Sequence, residues 1–150
     1  VIIMLMSRAS RLAIEALVEL ADVPSQEWST AEELAGRTTG DRAFLQQILN
    51  RLVREGIVRS KKGRGGGYQL ARNPKALTLR AVIESIDGRD VKRCMLDSTP
   101  CDGRRRCRLE PTWHPLRDSL LSFERTETIQ SIAERSRETV DRFDLSELDR

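Results

Sequence analysis

Four of the five residues from Gly63 to Gly67 are glycine, and the fifth is Arg64. No helix or buried strand tolerates such a run, because glycine loses the most backbone entropy on ordering and brings no side chain to pack. The stretch is therefore a turn, and its flanks say which kind. Ile57-Val58-Arg59-Ser60 precedes it and Tyr68-Gln69-Leu70 follows, both with the β-branched or aromatic content of short strands. With Lys61 and Lys62 included, the pattern predicts a β-hairpin with a basic tip.

The clearest helix lies just upstream. Leu45, Ile48, Leu49 and Leu52 recur at i, i+3, i+4 and i+7, a complete buried stripe. Asp41 is placed to cap its start, and Gly56 stands where a left-handed C-terminal cap is expected. Its remaining face carries Arg42, Gln46, Gln47, Asn50, Arg51 and Arg54. Before it, Ser29-Thr30-Ala31-Glu32 reads as a capping box opening a short helix to about Gly36, followed by a turn over Thr38-Thr39-Gly40-Asp41. A first helix is expected over 10–22, with Ala13, Ala16, Leu17, Leu20 and Ala21 inside and Pro24 closing it. After the hairpin, Thr78 caps a helix whose stripe is Leu79, Val82, Ile83 and Ile86, ended by Gly88.

A short helix, a tight turn, a longer helix and then a basic hairpin form the order of a winged helix-turn-helix. The net charge of +3 over 150 residues says nothing about partners, but the placement of charge does. Between Arg51 and Arg64 stand six basic residues against Glu55 alone. Aromatics make up 4%, which argues against a stacking platform for single strands. The expected partner is double-stranded DNA. Gln46 and Gln47 carry amides that match the donor and acceptor of adenine, with Asn50 on the same face. Arg42 can take guanine or a phosphate. Arg51, Arg54, Lys61 and Lys62 suit phosphates, and Arg64 suits a minor groove.

From Arg89 to Pro111 no helical or strand period is visible. All three cysteines, Cys94, Cys101 and Cys107, fall there, among Arg104, Arg105, Arg106 and Arg108. An odd, clustered set is no disulfide scaffold. Soft thiolates within fourteen residues suit an iron–sulfur cluster, with nearby cations lowering the thiol pKa values and offsetting cluster charge. Zinc, a redox disulfide or no site at all remain open, although the short C-x2-C pairs of structural zinc sites are absent. No C-x-x-C, second histidine or nucleophile–base pair is present, so the chain does not read as an enzyme.

Thr112 is placed to cap a further helix, with Pro115 tolerated in its first turn. Trp113, Leu116, Leu120 and Phe123 make a narrow apolar seam along it, which a second copy of the chain would cover. Thr128 starts a short helix through Ile129, Ile132 and Ala133. The apolar start, Val1 to Met6, is too short for a membrane span and lacks the basic opening of a secretory signal, so a cytoplasmic location away from membranes is expected. Met4 can be the natural start, with Val1 to Ile3 upstream of it. The reading is thus a mainly α fold with a small β-hairpin wing: a winged helix-turn-helix over 4–88, a cysteine-rich loop over 89–111, a long dimerisation helix with its follower over 112–137, and a disordered acidic tail over 138–150.

Four stretches together carry a resemblance. They are Met6-Ser7-Arg8-Ala9-Ser10-Arg11-Leu12-Ala13, the wing from Gly63 to Leu70, the helix from Leu79 to Asp87, and the cysteine trio. From about Met4 to Arg137 the chain resembles the IscR/NsrR/RirA group of bacterial transcription regulators, the Rrf-two family. The resemblance implies a homodimer crossed through the long C-terminal helix. It also implies a 2Fe-2S cluster (4Fe-4S in some members) on Cys94, Cys101 and Cys107, and regulated binding to a pseudo-palindromic operator. The signal would be iron, redox state or nitric oxide. The same fold with zinc or a thiol redox switch in the cysteine loop is the alternative.

Two features depart from the family pattern. The first cysteine spacing is six residues where five is common. The fourth ligand is unsettled, because Glu110 stands where IscR-like members have histidine. Nitric-oxide sensors take an aspartate from the partner's first helix, and the matching Arg11 cannot ligate. The candidates are Glu110, Glu15 from the partner chain one turn beyond Arg11, His114, or a solvent or small-molecule ligand.

Overall fold

Local side-chain chemistry decides where each N-terminal helix begins. In the computed structural model, which describes residues 6–88 and 110–142, α1 (Arg8–Ala21) is capped by Ser7, α2 (Ala31–Arg37) by Thr30, and α3 (Arg42–Arg54) by Asp41. Thr78 caps α4 (Leu79–Asp87). Each cap accepts a hydrogen bond from the backbone N–H three residues on, at 2.9 to 3.2 Å. The expected capping box is displaced by one residue. Thr30 and Glu33 form it, not Ser29 and Glu32. Ser29 is taken instead by a bridge to Tyr68. Gly56 and Gly88 both turn left-handed, with φ of 65° and 59°, and stop α3 and α4 where expected.

The strands β1 (Val58–Lys61) and β2 (Gly67–Leu70) pair antiparallel, with Val58 opposite Leu70 and Lys61 opposite Gly67. The core gathers around α1. Its Leu12, Ala13, Ala16, Leu17 and Leu20 are buried together with Leu34, Leu45, Leu49, Leu52, Ile57, Leu77, Val82 and Ile86. The predicted stripes of α3 and α4 are buried to the last residue.

α5 (Glu110–Thr126) is already helical two residues before the expected cap Thr112, which lies inside the helix. Pro115 lies inside the helix, beyond its first turn, and costs one backbone hydrogen bond. Next, α6 (Ile129–Arg142) is longer than the short helix expected, and reaches into the stretch read as an acidic tail. It returns to α1 and buries Ile129 and Ala133. Its start is stitched to that of α4 by a Thr78–Thr128 bridge, with Leu79 N–H donating to Glu127 O and Ile129 N–H to Leu77 O, both at 2.9 Å. Arg80 of α4 pairs at 3.4 Å with the buried Glu124 of α5. Cys94, Cys101 and Cys107 lie outside the described residues. No helix among the described residues is long and apolar enough to cross a membrane.

Candidate nucleic-acid interface

A reading helix must be held at a fixed angle, and the turn before it does this. A β-carbon on Gly40 would stand 2.4 Å from the Leu12 side chain, so any larger residue would have to push that buried leucine aside. The Glu15 carboxylate accepts from both the backbone N–H and the hydroxyl of Thr39, each at 2.8 Å, and pairs with Arg11. This sequence candidate for a partner-chain ligand therefore fastens the helix-turn-helix of its own chain. At the tip of α3, the Arg8 guanidinium lies over the Phe44 ring, 5.1 Å from its centroid, and reaches Asp41 at 3.7 Å.

The outer face of α3 is divided in its commitments. Gln47, Asn50 and Arg54 are exposed. Arg42 is exposed too, but pairs with Glu32 of α2. Gln46 is half-buried, with its amide nitrogen donating to the Tyr68 hydroxyl and, at 3.4 Å, to Asn50 Oδ1. Arg51 turns toward α4, where its Nε donates to the Ser85 carbonyl at 3.1 Å.

The hairpin is fastened at its base and open at its tip. Tyr68 N–H donates to Ser29 O at 2.7 Å and Ser29 N–H to Tyr68 O at 3.1 Å, which adds a third, one-residue strand. The close approach needs Gly67, whose φ is +150° and whose β-carbon would fall 2.4 Å from Ser29 O. Gln69 is buried and fully used: Nε2 donates to Glu27 O at 2.8 Å, and Oε1 accepts from Arg59 Nε at 2.8 Å. Arg59 and Lys61 flank Trp28, 5.6 and 5.9 Å from its ring. Lys61, Lys62 and Arg64 remain exposed. Sequence reasoning missed Trp28, Ser29, Arg59 and Tyr68. Trp28, one of two tryptophans in the chain and set directly before Ser29, was the available signal.

Ionisation follows these contacts. The Thr30 backbone N–H and then its hydroxyl hold the Glu33 carboxyl below the usual carboxylate range. Burial pushes Glu19 up, against the pull of Arg37. Among the described residues no three His, Cys, Asp or Glu groups are arranged to hold a metal. Glu110 opens α5, and His114 is half-buried one turn further on.

A capped helix pair, an exposed polar face on its second helix and a basic, anchored hairpin define a winged helix-turn-helix transcription regulator that binds DNA. The Rrf2 family, described as "Iron-dependent Transcriptional regulator", matches residues 6–135, and the chain belongs to it. That family is one of regulators, not enzymes. The chain is 30% identical over 122 residues to the HTH-type transcriptional regulator IscR of Yersinia pseudotuberculosis, covering 80% of this chain and 73% of that one. IscR of Pectobacterium atrosepticum matches with the same identity and coverage. Among solved structures, CymR (YrzC), the global cysteine regulator of B. subtilis, superposes with a TM-score of 0.71 at 22% identity, over 87% of this chain and 96% of its own. T. potens IscR gives 0.70 at 19% identity, over 89% of each chain. These two likenesses speak for the fold.

Proposed function

We propose that the chain is a homodimeric cytoplasmic regulator that grips a pseudo-palindromic operator under the control of an iron–sulfur cluster, 2Fe-2S ahead of 4Fe-4S. The observation that carries the DNA reading is the set of exposed polar and basic side chains, Gln47, Asn50 and Arg54 on α3 and Lys61, Lys62 and Arg64 on the hairpin. The helix supplies base contacts and the cations supply phosphate contacts. Arg42 joins them once it leaves Glu32. Gln46 reaches a base edge while tied to the wing. Arg51 serves as a brace as well as a cation.

The donor chemistry fits a cluster. Three thiols lie within fourteen residues, flanked by four arginines, between the end of α4 and the start of α5. Trp113 Nε1, near the start of α5, is buried and has no hydrogen-bond partner among the described residues. Such an N–H is a donor that cluster sulfur accepts from. Cys94, Cys101 and Cys107 would hold the cluster. Glu110 is the favoured fourth ligand, three residues after Cys107, and His114 follows about one helical turn later. Glu15 ranks last because Thr39 already occupies it. When bound, the cluster supplies a centre that responds to iron supply, oxidants or nitric oxide.

The last turn of α4 links that segment to the reading helix. Ser85 O accepts from Arg51, and Asp87 accepts from the Ser7 hydroxyl, immediately before Gly88 leads out to the cysteines. A displaced α4 end therefore pulls on α3 and on the start of α1. In a dimer this changes the spacing of the two reading helices. The test is anaerobic purification, with iron, acid-labile sulfide and operator affinity measured for the native chain and the triple Cys→Ala variant. Iron and sulfide together, with affinity shifted in the variant, support the reading. Zinc without sulfide, or colourless protein after reconstitution, overturns the cluster while leaving the DNA surface to stand or fall on its own binding.

A further inference from the structure

The sequence offers Gln46 and Gln47 as equivalent amides, and the structure makes them unequal. Gln47 is exposed with its whole amide available, whereas Gln46 is half-buried and bound to the wing. The Gln46 nitrogen donates to the Tyr68 hydroxyl and, at 3.4 Å, to Asn50 Oδ1. Its Oε1, an acceptor, is the group left for a partner.

Tyr68 is well suited to hold that amide in place. Its backbone is clamped on both sides, opposite Ser60 in β1 and bridged to Ser29 in both directions. Gly67, which no residue with a side chain can replace without striking Ser29 O, fixes the approach. Its neighbour Gln69 is buried and tied to the loop before α2. The hydroxyl is therefore delivered to α3 by a backbone fixed from both β1 and the Ser29 segment.

A lone acceptor in the major groove has a definite meaning. Adenine N6 and cytosine N4 present donors there, while guanine O6 and thymine O4 present acceptors. An acceptor at a fixed place thus sorts the amino bases from the keto bases on one strand. It does not make the two-bond contact with adenine that a free glutamine makes. We propose that Tyr68 is a positioning residue that, with Asn50, holds the Gln46 amide nitrogen and leaves Oε1 toward the groove, so that the operator carries adenine or cytosine, in preference to guanine or thymine, at the position Gln46 meets. This rests on the reading that α3 enters the major groove.

The test is selection from a random duplex DNA library by the intact native protein and by its Tyr68→Phe, Gln46→Ala and Gln47→Ala variants. Tyr68→Phe keeps the ring and removes only the hydroxyl. The native chain is expected to favour amino over keto bases about tenfold at one position per half-site, near the low end for a mismatched pair. Tyr68→Phe and Gln46→Ala should both flatten that same position, and the double variant should add nothing further. Gln47→Ala should move a different position. A native profile with no amino-base preference where Gln46→Ala acts overturns the proposal, as does a Tyr68→Phe profile identical to the native one. Failure of the native chain to enrich any sequence overturns the groove reading and this inference together.

Discussion

The DNA-facing half and the α5 segment solve the problem of apolar surface in opposite ways. In the first, the leucines and isoleucines of α1, α3 and α4 bury one another, and even the polar Gln69 is fully hydrogen-bonded. In α5, Leu116 is 63% exposed and Phe123 50% exposed, on a helix held to the rest mainly through α4 and the Arg80–Glu124 pair. One half is closed on itself, and the other leaves surface that a second copy would cover. A side chain removed from the first should cost stability, and one removed from the second should cost association.

The sharpest break would come at Leu49, fully buried in α3. Leu49→Ala should lower unfolding free energy by about 2–5 kcal/mol, read from urea denaturation, through lost burial and the cavity left behind. Gly67→Ala comes next, at about 1–3 kcal/mol, because the new methyl meets Ser29 O and the backbone there is one that alanine resists. DNA affinity should fall with it as the wing loses its anchor. Thr30→Ala should cost about 1 kcal/mol by removing the α2 cap.

The same substitution has a pH signature. Glu33 is held below its ordinary value by Thr30, so its contribution is present above the unfolded carboxylate range, about 4.3, and is lost as pH falls through the lower folded value. The gap between native and Thr30→Ala melting curves should therefore narrow but not close as pH drops below about 4, because only the hydroxyl's bond to the carboxylate titrates away while its cap on the Glu33 N–H persists in the native chain. Glu19, raised by burial, works in the opposite sense, with its contribution present at low pH and lost as pH rises. The smallest effect on the fold is expected for Leu116→Ser combined with Phe123→Ser. Stability at high dilution should stay within about 0.5 kcal/mol, while light scattering falls from two copies to one. Unchanged mass would remove the contrast between the halves.

Much of the closed half was legible because it rests on short-range chemistry. Asp41, Thr78, Gly56 and Gly88 act within a few residues of themselves, and the stripes of α3 and α4 need only a helical period. What the sequence hid were contacts between distant residues. Ser29-x-x-Glu32 and Thr30-x-x-Glu33 are equally good boxes, and only the bridge to Tyr68 decides between them. Arg51 and Glu15 each have a plausible outward role in sequence, yet one is fastened to Ser85 and the other to Thr39. The sequence places the start of α5 too late because Thr112 looks like a cap whether or not Glu110 and Pro111 are helical.

The stitching of Ser29 and Gln69 to Tyr68, Glu27 and Arg59 has a consequence for anyone exchanging specificity between relatives. The arm is not a detachable module. A transplant of residues 57–70 alone would arrive without its mooring, so the loop ahead of α2 and the donor's Gln46 would have to travel with it, three separated pieces of chain moved as a single graft.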